Sequence, residues 1–270
     1  MLGLNKTGKS GIAFGGGGTR GIAHLGVIRV LQDNGIDFDY VAGNSAGAIA
    51  GALYAADIPW ERLYDFVLNL KDKNVLPKRP PLLSYMSPEI IERLADCFLK
   101  DVNFEDLRRP FCAVAVDLTQ GTLDTLHSGS VSKALSASCA VPGVFQPVRI
   151  GSRTYIDGGT LRSIPTQELR DMGAEKVVGI NLNSDRSRGT SSLRRIDVFL
   201  TAYNLSININ SQICEKSADI MLRPKLDSYA RHSLKSIEEM LKIGEETAMS
   251  HIGDINRLLD SLHEGDAAGA

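Results

Sequence analysis

Four consecutive glycines, Gly15 to Gly18, separate a short apolar segment from a helical pattern in this 270-residue chain. The apolar segment, Gly11 to Phe14, predicts a strand, and apolar residues at helical spacing predict a helix from Arg20 to Asn34. Glycines at such a junction leave backbone N–H groups uncovered at a helix N-terminus, where they can bind a phosphate or a developing oxyanion. The front of the chain therefore predicts a strand–loop–helix unit, the building block of α/β folds.

A second unit of the same kind follows directly. The strand predicted at Phe38 to Ala42 leads into Gly43-Asn44-Ser45-Ala46-Gly47, and a helix of small residues follows to Ala56. This is a G-x-S-x-G sequence between a strand and a helix, in which the glycines permit a sharp turn that exposes the serine hydroxyl. We predict that Ser45 is a nucleophile; the alternative is a serine that merely caps a buried helix.

Strands and helices continue to alternate after this turn. Further strands are predicted at Phe111–Leu118, Gly121–Leu126, Arg153–Ile156, Lys176–Leu182 and Asp219–Arg223. Further helices are predicted at Trp60–Leu70, Pro88–Leu99, Val131–Ala140, Pro165–Met172, Ile196–Lys216 and Leu234–Leu262. This order predicts an α/β fold with a mostly parallel central sheet and helices on both faces.

The domain organisation follows from the same pattern. We expect one domain over residues 1–270, with a core at about 11–225 and a frayed tail at 264–270. The proline-rich residues 60–110 are expected to form a lid-like excursion on the active-site side.

Bulk composition excludes several classes of protein. The net charge of −2 gives no basic face for nucleic acid. The cysteines lack the spacing of a zinc site or a disulfide framework, so we expect no metal; they are Cys97, Cys112, Cys139 and Cys214. The first ten residues do not resemble a signal peptide, and the uncharged run Val41 to Ala56 is too short and polar to span a bilayer. We expect a cytoplasmic protein that can touch a membrane from outside; the composition leaves its oligomeric state open.

A third short segment, Asp157-Gly158-Gly159, comes directly after a predicted strand. Asp-Gly is a frequent turn pair, so this segment alone predicts a plain turn.

Together the three segments resemble the patatin-like phospholipase family in its bacterial single-domain form. The glycine loop with Arg20 and Gly21, the Gly43–Gly47 turn and the late Asp157–Gly159 follow in that family's order. The segment Ala140 to Phe145 is also similar to the one that precedes the family's aspartate strand.

The resemblance covers nearly all of Gly11 to Leu182 and implies a serine acyl hydrolase that cleaves carboxylic esters of lipids without a cofactor. It implies Ser45 as the nucleophile, Asp157 as its general base, and no histidine in the chemistry. It also implies an oxyanion hole formed by the N–H groups of Gly16, Gly17 and Gly18. The chain departs from the pattern at Asn44, where related bacterial chains often have threonine.

Other classes of protein fit parts of the same pattern. An α/β-hydrolase esterase could complete a triad with His232 or His251, but that fold places several strands before its nucleophile. A dinucleotide-binding domain fits the glycine spacing and could use Asp37 or Asp39 for the ribose, but both precede or begin the second strand. A lipid-binding protein without turnover is the third alternative.

Two basic regions could meet anionic lipid. Arg20 either attracts a lipid head group or is a solvated charge on the helix surface. Lys78 and Arg79 stand beside Leu82 and Leu83, and this mixture predicts contact with a lipid surface; the alternative is a lid whose leucines pack on the core.

Overall fold

A computed structural model describes residues 8–70, 86–183, 194–231 and 233–262 of the chain. The basic segment at Lys78 and Arg79 and the predicted tail at 264–270 lie outside the described residues.

One sheet forms the centre of the described structure. Its eight strands are β1 Ser10–Phe14, β2 Tyr40–Asn44, β3 Phe111–Asp117, β4 Thr122–Leu126, β5 Val148–Ile150, β6 Arg153–Asp157, β7 Lys176–Ile180 and β8 Ile220–Leu222. They lie in the order β5-β6-β3-β2-β1-β7-β8, with β4 paired to β3. The run from β3 to β8 is parallel, and β4, β5 and β6 are antiparallel. The predicted mostly parallel sheet is therefore confirmed.

Helices cover both faces of this sheet. They are α1 Ile22–Asp33, α2 Ala46–Ala55, α3 Trp60–Leu68, α4 Glu89–Leu99, α5 Val131–Ser138, α6 Thr166–Asp171, α7 Arg195–Cys214 and α8 Ile237–Asp260. Side chains of a strand point alternately to its two faces. Accordingly Ile12 and Phe14 join the core formed with α1–α5 and α8, whereas Ala13 packs with α6 and the end of α7. No helix in the described ranges is long and apolar enough to cross a membrane.

The two edges of β3 are used differently. β4 pairs with one edge from Ala113 onward. On the other edge β2 runs as far as Asn44, opposite Val114, and β6 takes over where β2 stops, with Asp157 opposite Ala115. Since β2 is parallel and β6 antiparallel to β3, their C-terminal ends meet. The topology thus brings together the residue after Asn44 and the last residue of β6.

Candidate active site

Ser45 occupies the turn between β2 and α2 in a backbone conformation that few residues other than glycine adopt. Its φ is 53° and its ψ is −126°, a positive φ of the kind found at strained functional turns. Its N–H donates to Ser138 Oγ at 2.9 Å, and that hydroxyl donates to Val114 O at 2.7 Å. The Ser45 hydroxyl makes no capping bond to α2. Ser45 is thus the N-cap residue of α2, but helix capping does not account for its hydroxyl, and the sharp turn predicted before α2 is present.

Small residues let α2 start this close to the sheet. A Cβ at Gly47 would lie 2.1 Å from Phe14 O, so only glycine fits between α2 and β1. Gly43 lies directly against Ala48, and Gly21 lies against Ala46. These motif glycines have a packing reason that does not depend on any substrate.

Asp157 ends β6 in a buried position, with 2% of its surface exposed. Its Oδ1 accepts the Gly159 N–H at 2.7 Å. Burial raises the pKa of Asp157 to about 6, while the Gly159 N–H and the nearby polar side chains of Ser45, Tyr203 and Asn44 act in the opposite direction. The carboxylate is thus close to the serine and titrates nearer to neutrality than an ordinary aspartate.

Two of these neighbours also have a buried polar atom without a hydrogen-bond partner among the described residues. Tyr203 Oη is buried and makes no hydrogen bond of ordinary geometry among the described residues, although it faces Asp157 and would lie 3.3 Å from a Cβ at Gly159. Asn44 Oδ1 is likewise buried without a partner in the described structure, and it would lie 2.7 Å from a Cβ at Gly158. No sequence pattern marks Tyr203, because α7 has no motif and its register against β6 is set only by tertiary packing.

The glycine loop lies directly against Ser45. A Cβ at Gly16 would be 3.3 Å from the Cβ of Ser45. The Gly16 N–H, however, donates to Ser163 O at 3.0 Å, which makes Gly16 a structural residue rather than a free donor. The N–H groups of Gly17 and Gly18 have no acceptor among the described residues. Two of the three predicted donors are therefore not engaged by the described residues.

The glycine loop lies close to the segment after β8. Gly18 has a φ of 59°, and a Cβ there would lie 2.4 Å from Arg231 O. Arg20 is buried and donates to Tyr229 O at 2.9 Å and to Leu182 O at 3.3 Å. The alternative that Arg20 is a solvated surface charge is wrong, and these contacts favour a structural role over binding of a lipid head group.

The described histidines lie in ordinary structural surroundings. His24 is fully buried, contacts Gly15 O through Nε2 at 2.8 Å, and has its pKa lowered by burial to about 4. His127 is exposed after β4, and His251 contacts Thr247 O of its own helix through Nδ1 at 2.8 Å. His232 and His263 lie outside the described residues. Within the same limits, no group of three or more His, Cys, Asp and Glu side chains could hold a metal ion.

The acidic residues of the dinucleotide alternative are engaged elsewhere. Asp37 pairs with Arg108 and Arg109, each at 2.6 Å, and Asp39 accepts the Ser10 N–H at 2.8 Å. Both precede β2, at the opposite end of that strand from the glycine loop. A ribose on the loop could not reach them, so this alternative is wrong.

The chain is similar in sequence to one protein family and to its curated relatives. The family model described as patatin-like phospholipase matches residues 12–170. A lysophospholipase NTE1 of Debaryomyces hansenii is 27% identical over 87% of this chain and 17% of its own length. An uncharacterised NTE family protein of Mycobacterium bovis is 32% identical over 65% of this chain and 49% of its own length. The chain thus spans half or less of these curated relatives.

Solved structures show the same fold at low sequence identity. VipD from Legionella pneumophila matches 95% of this chain and 67% of its own with a TM-score of 0.57 and 16% identity. Human GIVD cytosolic phospholipase A2 matches 97% of this chain and 61% of its own with a TM-score of 0.60 and 10% identity. Since the family model covers more than half of the sequence and the sheet places its motifs at one site, the chain belongs to the patatin-like phospholipase family.

Proposed function

We propose that this protein is a lipid acyl hydrolase of the phospholipase A type that works through a Ser45–Asp157 dyad. The observation that supports the proposal is the meeting of a serine on a strained turn with a buried carboxylate of raised pKa. Perturbed titratable groups beside an activated nucleophile are typical of catalytic sites.

The mechanism begins with proton transfer inside the dyad. Asp157 accepts the Ser45 hydroxyl proton as the oxygen attacks the ester carbonyl carbon. The tetrahedral oxyanion accepts hydrogen bonds from the N–H groups of Gly17 and Gly18, donors whose individual loss typically costs ~10²–10³ in rate. The protonated Asp157 then gives its proton to the leaving alcohol. Water, deprotonated by the same carboxylate, releases the fatty acid and restores Ser45.

The raised pKa of Asp157 suits this role. A general base works best when its pKa lies near the working pH, and an ordinary aspartate with a pKa of about 3.9 would be a weak base. Burial brings the pKa of Asp157 to about 6. The carboxylate is still ionised at neutral pH, yet it holds a proton more readily than an exposed one.

The substrate class is proposed from the family and its relatives. Fungal relatives are named lysophospholipases, which supports a phospholipid or lysophospholipid ester.

A fluorophosphonate probe tests the nucleophile directly. Such a reagent should label Ser45, and Ser45→Ala should abolish both labelling and ester hydrolysis while the protein keeps its fold. Because Ser138 supports the Ser45 backbone, peptide mapping has to distinguish the two serines. A label found on Ser128 or Ser138 would overturn the assignment.

Contact with a membrane through residues 60–110 stays a prediction, because its basic part lies outside the described residues. Lys78→Glu with Arg79→Glu is expected to weaken flotation with anionic vesicles. Unchanged flotation would show that Lys78 and Arg79 do not contribute to binding at the lipid surface.

A further inference from the structure

The outer side of α7 is an apolar surface. Among the described residues, nine large apolar side chains are exposed, and five of them lie on this one helix: Val198, Phe199, Leu205, Ile209 and Ile213, with exposures from 46% to 63%. Single exposed apolar residues are ordinary, but a concentration on one element marks an interaction surface.

Four of these five residues, all but Phe199, share one side of the helix with Ala202. Val198, Ala202, Leu205, Ile209 and Ile213 fall within about 80° of each other at 3.6 residues per turn, and we call them the outer α7 face. From Val198 to Cys214 the helix has no charged residue. A helix whose outer side faced only water would be expected to carry charged side chains there.

The opposite side of α7 covers the candidate active site. Tyr203 faces Asp157, and Asn210 Nδ2 donates to Thr160 O in the turn that follows the carboxylate. Ser211 Oγ lies 2.8 Å from Ser163 Oγ, and Ser163 O accepts the N–H of Gly16. One helix therefore separates the outer α7 face from the dyad and the glycine loop.

We propose that the outer α7 face binds the surface of a phospholipid bilayer and holds the active site against it. This inference rests on the proposed function, because a lipid ester reaches the enzyme from such a surface. An uncharged apolar helix side lies in the boundary between head groups and acyl chains, and cations at its end meet anionic head groups. Two exposed arginines stand at the N-terminal end of α7: Arg195, and Arg194, which is ion-paired with Asp197 at 2.6 Å.

A second copy of the chain is the less suitable occupant. A stable protein interface buries about 800 Å² on each partner, and the outer α7 face, with four large side chains that are each about half exposed, offers less area than that. A bilayer accepts a narrow stripe of this kind, because the stripe only has to insert to a shallow depth.

The test compares Ile209→Glu with Met249→Glu. Ile209 is 63% exposed, and Met249 is a matched control, 57% exposed on α8, which packs on the other face of the sheet. Both are made in the Ser45→Ala background so that vesicles are not consumed. Co-flotation with vesicles of phosphatidylcholine and phosphatidylglycerol should fall at least tenfold for Ile209→Glu and stay at the parent level for Met249→Glu.

Two further measurements make the result decisive. Circular dichroism and thermal melting must show folded protein; if Ile209→Glu fails this, Ile209→Asn replaces it, with Met249→Asn as control. With Ser45 restored, hydrolysis of a water-soluble short-chain ester should be unchanged by Ile209→Glu, while hydrolysis of vesicle lipid falls.

The outcomes separate the two proposals. Flotation that both substitutions weaken equally, or that neither weakens, overturns the lipid-binding face. So does light scattering in which Ile209→Glu turns a dimer into a monomer without changing flotation. An absence of any ester hydrolysis in the unmodified protein overturns the proposed function instead, and the flotation result still stands.

Discussion

Ser45 and Asp157 reach each other because β2 and β6 share one edge of β3 and end at adjacent positions along it. Asn44 pairs with Val114, and Asp157 pairs with Ala115. The serine therefore follows the parallel strand β2, and the carboxylate ends the antiparallel strand β6. Groups held by paired backbone in this way need no mobile loop to meet, and such a rigid scaffold suits the preorganised pair that the proposed mechanism requires.

Replacing the carboxylate should remove activity. Asp157→Asn leaves an amide that cannot accept the serine proton, so kcat/KM should fall roughly 10²–10⁴-fold, the range for a lost general base. Steady-state hydrolysis of a short-chain ester measures this. A variant that is folded and still fully active would show that another group takes the proton.

The same substitution should make the protein more stable at neutral pH. Burial raises the folded-state pKa of Asp157 from 3.8 to about 6. The folded state therefore binds the proton more tightly than the unfolded chain, and this contribution to stability is present below pH 3.8 and lost as pH rises through 6. This rise in the pKa of Asp157 corresponds to about 3 kcal/mol of unfolding free energy as an upper limit.

Urea unfolding at pH 8 measures this effect. It should give Asp157→Asn a larger free energy of unfolding than the parent, with the difference shrinking towards pH 4. A variant that is less stable than the parent at pH 8 would mean that ionised Asp157 is not a destabilising group.

Tyr203 should tune the base. Its hydroxyl lowers the pKa of Asp157, so Tyr203→Phe should raise that pKa and move the acid limb of the kcat/KM profile to higher pH. Activity at pH 8 should change little, whereas activity near pH 5.5 should fall several-fold. Tyr40→Phe, at the start of β2, is the control. An equal loss at every pH would instead indicate a packing defect.

The glycine loop can be tested with a control for backbone strain. Gly18→Ala places a Cβ on a residue with a φ of 59° next to Arg231 O and should displace the Gly18 N–H from the oxyanion. We expect kcat to fall ~10²–10³ with a smaller change in KM, since the hole binds the transition state. Gly35→Ala introduces similar strain at φ 64° with nothing within 4 Å. Equal losses in both variants would show that strain alone is responsible.

Much of the fold could be predicted from short-range patterns. The helical spacing before Asn34 and the glycine–serine turn at Ser45 are local features, and the structure has α1 and α2 where they were predicted. β2 begins at Tyr40 rather than Phe38, because Phe38 packs in the core before pairing with β1 starts. The three-residue strand Val148–Ile150 was missed, since a segment this short contains no period to detect.

In the candidate site, too, the residues in local motifs could be predicted, and those placed by tertiary packing could not. Ser45 and Asp157 stand in recognisable motifs, whereas Tyr203 reaches Asp157 only because α7 packs across the end of β6, a contact between distant parts of the sequence. The bond from Gly16 N–H to Ser163 O is of the same kind. A glycine motif predicts several uncovered amides, but tertiary structure decides which of them are already occupied.

Histidine should take no part in the chemistry, and substitution decides this better than a pH profile. An ordinary aspartate would stay ionised far below the pH at which an imidazole is protonated, near ~6.5. Burial of Asp157 removes most of that difference, because its pKa is about 6. His127→Gln and His251→Gln should therefore be compared directly with Asp157→Asn. The two histidine variants should keep most of the activity, and Asp157→Asn should lose it.

His24 needs a separate measurement, because it is part of the scaffold. Its ring packs edge-on against Phe14, with centroids 5.2 Å apart, and it contacts Gly15 O. His24→Gln should lower the melting temperature while activity per folded molecule is largely retained. His232→Gln and His263→Gln, at positions outside the described residues, should behave like the parent protein. A correctly folded histidine variant that loses about a thousandfold in kcat/KM, together with an active Asp157→Asn, would replace the dyad with a triad, because only an imidazole could then be moving the serine proton.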